Sequence, residues 1–456
     1  MKRQRKFSLA ALSLGMIFLI LVGGVAYVFN SSLFERDAPQ VNLPKEIEWN
    51  LKDPIHIQIS DQSGLKRVKV SLFDGEKSVD LESKELKTSE ALLDLNVTFP
   101  KTGFGANKKL FELTVEAIDR SKWNFFAGNT AHVKAIVKVD TKRPEVTIAG
   151  SSYKIMKGGA AVVVFKAQDE AMKSLYIETN FGKKFYPTPF YKEGYYLSLV
   201  AWPTQVENFS ASVVAIDRAG NITKTHIPYF LQDRKYRTST IQLEDRFLDG
   251  KIADLVAEMA PERSSLDRLE KFKFVNETMR GGNEELILNV TSKVPTTPVQ
   301  GFFLKPFYPL RNGKVVASFG DHRFYEYQKQ PTSESYHLGL DLASNAQATM
   351  QTSNDGVVVL ARENGIYGNN IIIDHGLGVY SLYGHCSSFL VKEGDALKAG
   401  DAIAKTGMTG LALGDHLHFG MYVQGVDVRP EEWMDEQWLK ESVFNVIDAA
   451  KKLVDR

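Results

Sequence analysis

Three short histidine phrases constrain this chain more than any other feature: Tyr-His-Leu-Gly-Leu-Asp at 336–341, Leu-Tyr-Gly-His at 382–385 and Asp-His-Leu-His-Phe-Gly at 415–420. Six of the nine histidines lie between His322 and His418, and four of those six sit inside these phrases. That clustering points to a metal site, and it requires a fold that gathers distant stretches of chain. The last phrase is short and apolar, which suits a strand. There, residues two apart share a face, so His416 and His418 aim into one space while Leu417 and Phe419 point the other way. His337 and Asp341, four apart, would align on either a helix or a strand. Gly339 between them and the preceding Pro-Thr-Ser-Glu-Ser at 331–335 favour an extended chain.

Zinc in a catalytic site takes three protein ligands from His, Asp or Glu and keeps a fourth position for water. Two histidines and one carboxylate fit that need, and two histidines are left over. The order His-x-x-x-Asp, Tyr-x-His, His-x-His resembles the lysostaphin-type (LytM-like) zinc metallopeptidases, peptidoglycan endopeptidases that cut bacterial wall peptides. The resemblance runs over roughly residues 313–435. It takes in Ser-Phe-Gly-Asp-His-Arg (318–323), Tyr-Gly-Asn-Asn-Ile-Ile-Ile-Asp-His-Gly (367–376) and Lys-Thr-Gly-Met-Thr-Gly (405–410). It implies one zinc per chain held by His337, Asp341 and His418, with His385 and His416 catalytic. Asp415 and Gly420 depart from the family's usual residues, but neither removes a ligand. Taken singly, a strand histidine is commonly a hydrogen-bonded core or surface residue. Five in this order and spacing are not explained that way. His322 and His375 fall outside the motif and are expected in loop or supporting roles, while Arg323 and Tyr383 are weaker candidates for substrate contact. Cys386 adjoins His385, and strand neighbours point to opposite faces, which argues against a thiol nucleophile.

The rest of the chain limits where such chemistry could act. Lys and Arg number 56 against 55 Asp and Glu, a net charge of +1, so there is no electrostatic case for nucleic acid. The single cysteine excludes an intrachain disulfide. Residues 1–6 carry four positive charges, and residues 7–29 then carry none. A run of that length can cross a bilayer, and the basic residues before it would keep the N-terminus inside. A cleaved signal peptide is the competing reading, with Gly24, Val25 and Ala26 a poor cleavage site. Because the run exceeds a usual signal core, the expectation is an uncleaved anchor across residues 1–34. That makes the protein single-pass in the inner (cytoplasmic) membrane, with the catalytic domain in the periplasm.

From 41 to 140 the pattern is that of short strands: Ile55, Ile57 and Ile59 alternate with polar residues, as do Val68, Val70 and Leu72, then Phe111 to Ala117 and Val133 to Val137. This predicts a small antiparallel sandwich. After a linker at Thr141 to Pro144, a second strand-rich unit spans 144–231. Ala-Ile-Asp-Arg at 117–120 recurs at 215–218, 98 positions on, which indicates a tandem pair. The following Ala-Gly-Asn resembles a turn of bacterial immunoglobulin-like domains, which act as spacers or adhesive modules. Residues 232–300 form a connecting region with two expected helices. One carries Ile252, Leu255, Val256 and Met259 and is closed by Pro261; the other is capped by Ser264 or Ser265 and runs toward Gly281 and Gly282. Residues 301–435 read as a nearly all-β catalytic domain, and 436–456 as an amphipathic helix expected to bury its apolar face on that domain.

The fold class expected is therefore mainly β: an N-terminal transmembrane helix, two immunoglobulin-like sandwiches, a small helical segment and a LytM-like antiparallel β domain with a terminal helix. The function expected is a zinc metalloendopeptidase acting on peptidoglycan stem peptides. The alternatives are a catalytically inactive activator of another wall hydrolase, or an envelope adhesion or scaffold protein. A further envelope partner could dock on 232–300 or on the immunoglobulin-like units.

Overall fold

The computed structural model describes residues 9–101, 103–105 and 107–455. The basic residues 1–6 and the start of the apolar run at 7–8 lie outside them. The run itself is the helix Leu9–Asn30. Its 22 residues would span about 33 Å at 1.5 Å per residue. Its stretch Ser13–Asn30 has a mean hydropathy of 2.0 and is unburied. By length and composition it has what a membrane span or a signal sequence has.

Beyond it the protein is mainly β, in two compact units: one up to Arg143 together with Ile216–Ile222, the other Pro144–Ala215 with Thr223–Arg456. In the first, alternation does what it should. Ile57, Ile59, Val68, Val70, Leu113, Val115 and Val137 are fully buried in one cluster, while their polar neighbours face out. The strands Gln40–Asn42, Ile55–Phe73, Ser78–Val97, Leu110–Asp119 and Thr130–Val139 pair antiparallel, but Glu46–Trp49 joins Thr130–Val139 in parallel, and all six strands form one connected sheet. The repeated Ala-Ile-Asp-Arg has a physical basis: Asp119 and Asp217 are both fully buried at a strand end. In each, one carboxylate oxygen accepts from an asparagine backbone N–H and the other from the same residue's Nδ2, with Asn129 in the first repeat and Asn221 in the second.

In the second unit two four-stranded sheets build the region after Pro144. Its central strand Ala160–Gln168 is buried on successive residues from Ala160 to Phe165. A strand reads so only when both of its faces are covered. The second cover comes from the chain's end: Leu439, Val443, Ile447 and Ala450 belong to the same apolar cluster as Val162 and Phe165. The Ser152 hydroxyl donates to the Ser442 carbonyl at 2.7 Å. The C-terminal helix Asn445–Val454 therefore packs on strands Glu145–Ser151 and Ala160–Gln168, and not on the catalytic sheet as expected. Its periodicity names the face that must be buried but not the surface that receives it.

The connecting region corrects two further expectations. Its second helix is capped by Asp267, whose side chain accepts from the Leu269 and Glu270 backbone in a capping box with Glu270, so the start lies beyond Ser264 and Ser265. Helix then continues to Thr291 straight through Gly281 and Gly282, because Ile287 and Thr291 are buried and packing outweighs the propensity cost. A strand, Thr238–Gln242, also lies here and pairs in parallel with Asp321–Tyr327. The helices cover one face of the C-terminal sheet: Leu255, Val256, Phe272 and Ile287 share a cluster with Ile372, Leu382 and Tyr422.

That sheet orders its strands Lys314–Ala317, Leu340–Ala343, Leu417–Val423, Val379–Gly384, Asn369–Asp374, Gly356–Glu363 and Ala396–Leu397. Register sets the site. Asp341 and Gly384 flank His418 on the two sides of strand Leu417–Val423, and Asp321 stands opposite His337 in an adjoining ribbon.

Candidate metal centre

Each phrase is delivered by a strand end. Gln330–His337 finishes on His337, Leu338 and Gly339 turn the chain, and Leu340–Ala343 brings Asp341 beside His418. The Asp341 Oδ1 atom lies 3.0 Å from His337 Nε2 and 2.9 Å from His418 Nδ1, and the two nitrogens are 3.2 Å apart. His337 and His418 are 7% and 5% exposed, so bulk water does not fill the gap.

The protonation pattern makes this triangle informative. His337 Nδ1 is 2.9 Å from the Ser318 carbonyl, which can only accept, so in the neutral ring the proton sits there and Nε2 keeps its lone pair. That lone pair faces a carboxylate oxygen. Acceptors opposed at 3 Å in a buried place call for a proton or a cation between them. Tetrahedral zinc with bonds of about 2.0–2.1 Å would set its ligand atoms about 3.3 Å apart, close to the spacing found. The donor set is also one that zinc takes, and the Ser318 carbonyl supplies the outer hydrogen bond that orients a ligating imidazole. The residues thus fit a divalent metal. Burial works to raise the Asp341 carboxyl, but hydrogen bonds and charge from His337 and His418 outweigh it and hold the group far below the usual carboxylate range. Burial pushes His418 down, against the pull of Asp341.

His385 and His416 stand beside this triangle. Their ring centroids are 4.7 Å apart, and His385 is 5.8 Å from His418. His385 Nδ1 meets the Thr409 carbonyl at 2.8 Å, and His416 Nδ1 meets that of Gly414 at 2.8 Å. By the same logic both rings present an unprotonated Nε2, and that of His416 lies 3.7 Å from Asp341 Oδ2. Burial, followed by the charges of His418 and His416, pushes His385 down to about 3. His385 also has a left-handed backbone, φ +61, just past the strand Val379–Gly384. Such strain in a buried histidine is stored where the surroundings over-determine it. Here the Tyr367 carbonyl accepts from the His385 N–H at 2.8 Å, and the 405–410 phrase supplies the carbonyl that holds the ring.

The structure therefore brings together all five histidine and aspartate residues singled out in the sequence. The others fall elsewhere. His375 is hydrogen-bonded to the Asp355 carbonyl and Ser381 Oγ, and His322 stacks on Tyr336. Cys386 is fully buried, its thiol pushed up to about 12 by burial. Tyr383 packs against Phe419 on the opposite sheet face, fully buried, and cannot touch a substrate at the site. Arg323 lines the groove beside the metal cluster. Sequence reasoning missed the carbonyls of Ser318, Thr409 and Gly414, which carry no side-chain signal; it used Gly339 for the extended chain but not for its packing, where a Cβ would sit 2.5 Å from the His418 ring. One groove wall is formed by Ile241 to Glu244, Phe247 and Phe272, residues that no local signal in the 232–300 region singles out individually. The groove encloses about 720 Å3.

Residues 335–430 match the sequence model of Peptidase family M23. The DD-carboxypeptidase/endopeptidase Mpg of Neisseria meningitidis serogroup B is 33% identical over 124 residues, 27% of this chain and 27% of that protein. The murein hydrolase activator NlpD of Salmonella dublin is 34% identical over 127 residues, 28% of this chain and 30% of that protein. The chain thus spans only about a quarter to a third of the length of these relatives. A solved structure of a putative peptidase M23 from Pseudomonas aeruginosa is 18% identical, covers 62% of this chain and 95% of that one, and gives a TM-score of 0.37. With its match lying over the stretch that holds His337, Asp341, His385, His416 and His418, the C-terminal β domain of this chain is a Peptidase family M23 domain.

Proposed function

We propose that this chain is a zinc metalloendopeptidase that hydrolyses peptide cross-links of bacterial peptidoglycan. The observation that carries this is the buried triangle of His337 Nε2, Asp341 Oδ1 and His418 Nδ1, with two more imidazoles beside it: His416, whose Nε2 lies 3.7 Å from Asp341 Oδ2, and His385, whose ring centroid is 5.8 Å from that of His418. His337, Asp341 and His418 would hold one zinc ion per chain. When bound, zinc supplies a Lewis acid that makes hydroxide available near neutral pH and polarises a carbonyl.

The chain's own residues do the rest. His416, with 14% of its side chain exposed, takes a proton at Nε2 from the attacking water and can pass it on toward solvent or the leaving amine. His385, held neutral by burial, accepts at Nε2 and orients that water. The Ser318, Thr409 and Gly414 carbonyls keep three rings in the tautomer these roles need. The bond cut is the direct cross-link between stem peptides, with D-alanine and diaminopimelate as its partners. The N-terminal apolar helix anchors the chain in the inner membrane with the peptidase outside the cytoplasm.

The likeness to a murein hydrolase activator supports a second reading, a non-hydrolytic activator, but the complete ligand and imidazole set favours hydrolysis. Digestion of purified sacculi by the full chain with zinc decides between them. Release of uncross-linked muropeptides supports the enzyme. Stimulation of an added wall hydrolase without release by the chain alone supports the activator.

A further inference from the structure

We propose that Arg323 determines substrate specificity by binding a peptide carboxylate one or two residues from the bond that is cut; this rests on the endopeptidase reading above. Asp321 stands directly opposite His337 in the ribbon of strands Asp321–Tyr327 and Gln330–His337, and Arg323 stands opposite Ser335. Residues two apart on a strand share a face, so Arg323 lies on the His337 face, about 6.6 Å further along. A substrate extended along the groove advances about 3.3 Å per residue. The guanidinium is therefore level with a group one or two residues away from a carbonyl held at the metal ligands.

The side chain is held for that task. Arg323 Nε donates to Asp321 Oδ2 at 3.3 Å, and the Oδ1 atom of the same carboxylate accepts from Ser239 Oγ at 2.7 Å. Asp321 is 6% exposed, so this anchor is rigid, and Ser239 is level with Arg323 in the neighbouring parallel strand. Only Nε is engaged. Nη1 and Nη2 have no partner among the described residues, and together they form the edge that pairs bidentately with a carboxylate.

The surroundings leave that edge unspent. The other arginine of the groove, Arg280, commits Nε and Nη2 to Asn276. Much of the groove wall is apolar, including Val316, Leu338, Leu411 and Leu413. Glu244, an acid also on the wall, lies five positions beyond Ser239 and so does not neutralise Arg323. A pre-positioned fork with free donors in a largely apolar groove discriminates strongly. A neutral amide in place of the carboxylate leaves the donors poorly paired and removes the charge assistance.

Stem peptides carry two such carboxylates, on a side chain and at a free terminus, and the experiment separates them. The full chain, wild type and with Arg323→Ala or Arg323→Lys, would be given three versions of a cross-linked stem-peptide dimer: free, side-chain amidated and C-terminally amidated. One amidation should lower wild-type kcat/KM by roughly 10- to 100-fold, the span expected for a charge-assisted hydrogen bond. Arg323→Ala should lose that much on the free dimer and become indifferent to the amidation. Arg323→Lys, a point charge without the fork, should fall between. A wild type indifferent to both amidations, or an Ala variant equally impaired on all three dimers, overturns the proposal. Calorimetric binding of the same dimers with the scissile amide reduced to an amine reads the subsite without turnover. Carboxylate preference in binding with no cleavage of the native dimers would leave Arg323 assigned and remove the hydrolase reading. Cleavage without preference would do the reverse.

Discussion

Gly339→Ala tests how closely the ligand geometry is set by packing. The Cβ of an alanine there would sit 2.5 Å from both Cε1 and Nε2 of His418 and 2.9 Å from the Phe419 carbonyl oxygen. Ordinary contacts at a Cβ begin near 3.4 Å, so the imidazole would have to retreat by about 1 Å. It has little room to do so. The His337 ring lies 5.1 Å away, the Tyr367 ring 5.4 Å away edge-on, and Nδ1 is tied to Asp341. Metal–ligand distances tolerate about 0.2 Å, and disturbing even an outer partner of a ligand costs about 10- to 100-fold in affinity. Zinc affinity should therefore fall by at least about 100-fold, and a misplacement of about 1 Å should cost a similar factor in turnover. The stability cost should stay within the range of about 1–3 kcal/mol typical of overpacking. Competition against a chromophoric chelator and kcat/KM on a muropeptide dimer read the two effects. Gly281→Ala, whose Cβ meets nothing within 4 Å, is the control that should change neither. Zinc affinity and turnover within twofold of wild type for Gly339→Ala would refute the claim that this packing places His418.

Three further substitutions separate the roles of individual groups. His385→Ala and His416→Ala should each keep zinc and lose about 100- to 10,000-fold in rate; metal lost in proportion to activity would mean a ligand had been mistaken for a base. Glu432 is buried where its Oε2 accepts from the Ala160 N–H at 3.1 Å, and burial raises its carboxyl from 4.5 to about 7. A raised carboxyl contributes stability that is fully present below the unfolded value and is lost as pH rises through the folded one. Wild type should therefore lose up to roughly 3 kcal/mol between about pH 4.5 and 7.5 from this group. Glu432→Gln should flatten the dependence of the unfolding midpoint over that window, and an unchanged slope in the variant would contradict the assignment.

The site was readable because its chemistry is carried by side chains whose spacing survives translation into strands. His416 and His418 need only the two-residue period, and Asp341 needs only the extended turn that Gly339 permits. The positioning groups were not readable, because a backbone carbonyl such as that of Thr409 has no residue type to betray it. Strand alternation located the first sheet but said nothing about the parallel pairing of Glu46–Trp49, which depends on contacts distant in sequence. The C-terminal helix shows the same limit: Ile447 and Ala450 announced an apolar face, and the surface that covers it lies some 290 residues earlier, around Ser152 and Val162. Tyr383 stands two residues before His385, where alternation predicts a shared face, but the strand ends at Gly384 and the left-handed backbone of His385 breaks the period. The neighbour of Tyr383 across the sheet is Phe419, on the side away from His418.

The central claim is that His337, Asp341 and His418 hold a metal that His385 and His416 do not. Zinc content of the purified full chain, measured by mass spectrometry after gel filtration together with digestion of sacculi by the same samples, tests it most directly. One zinc per chain is predicted for wild type, His385→Ala and His416→Ala. For His418→Ala the prediction is little bound zinc and no digestion. Undiminished zinc in His418→Ala, or a wild type that digests sacculi with no zinc bound, would contradict it.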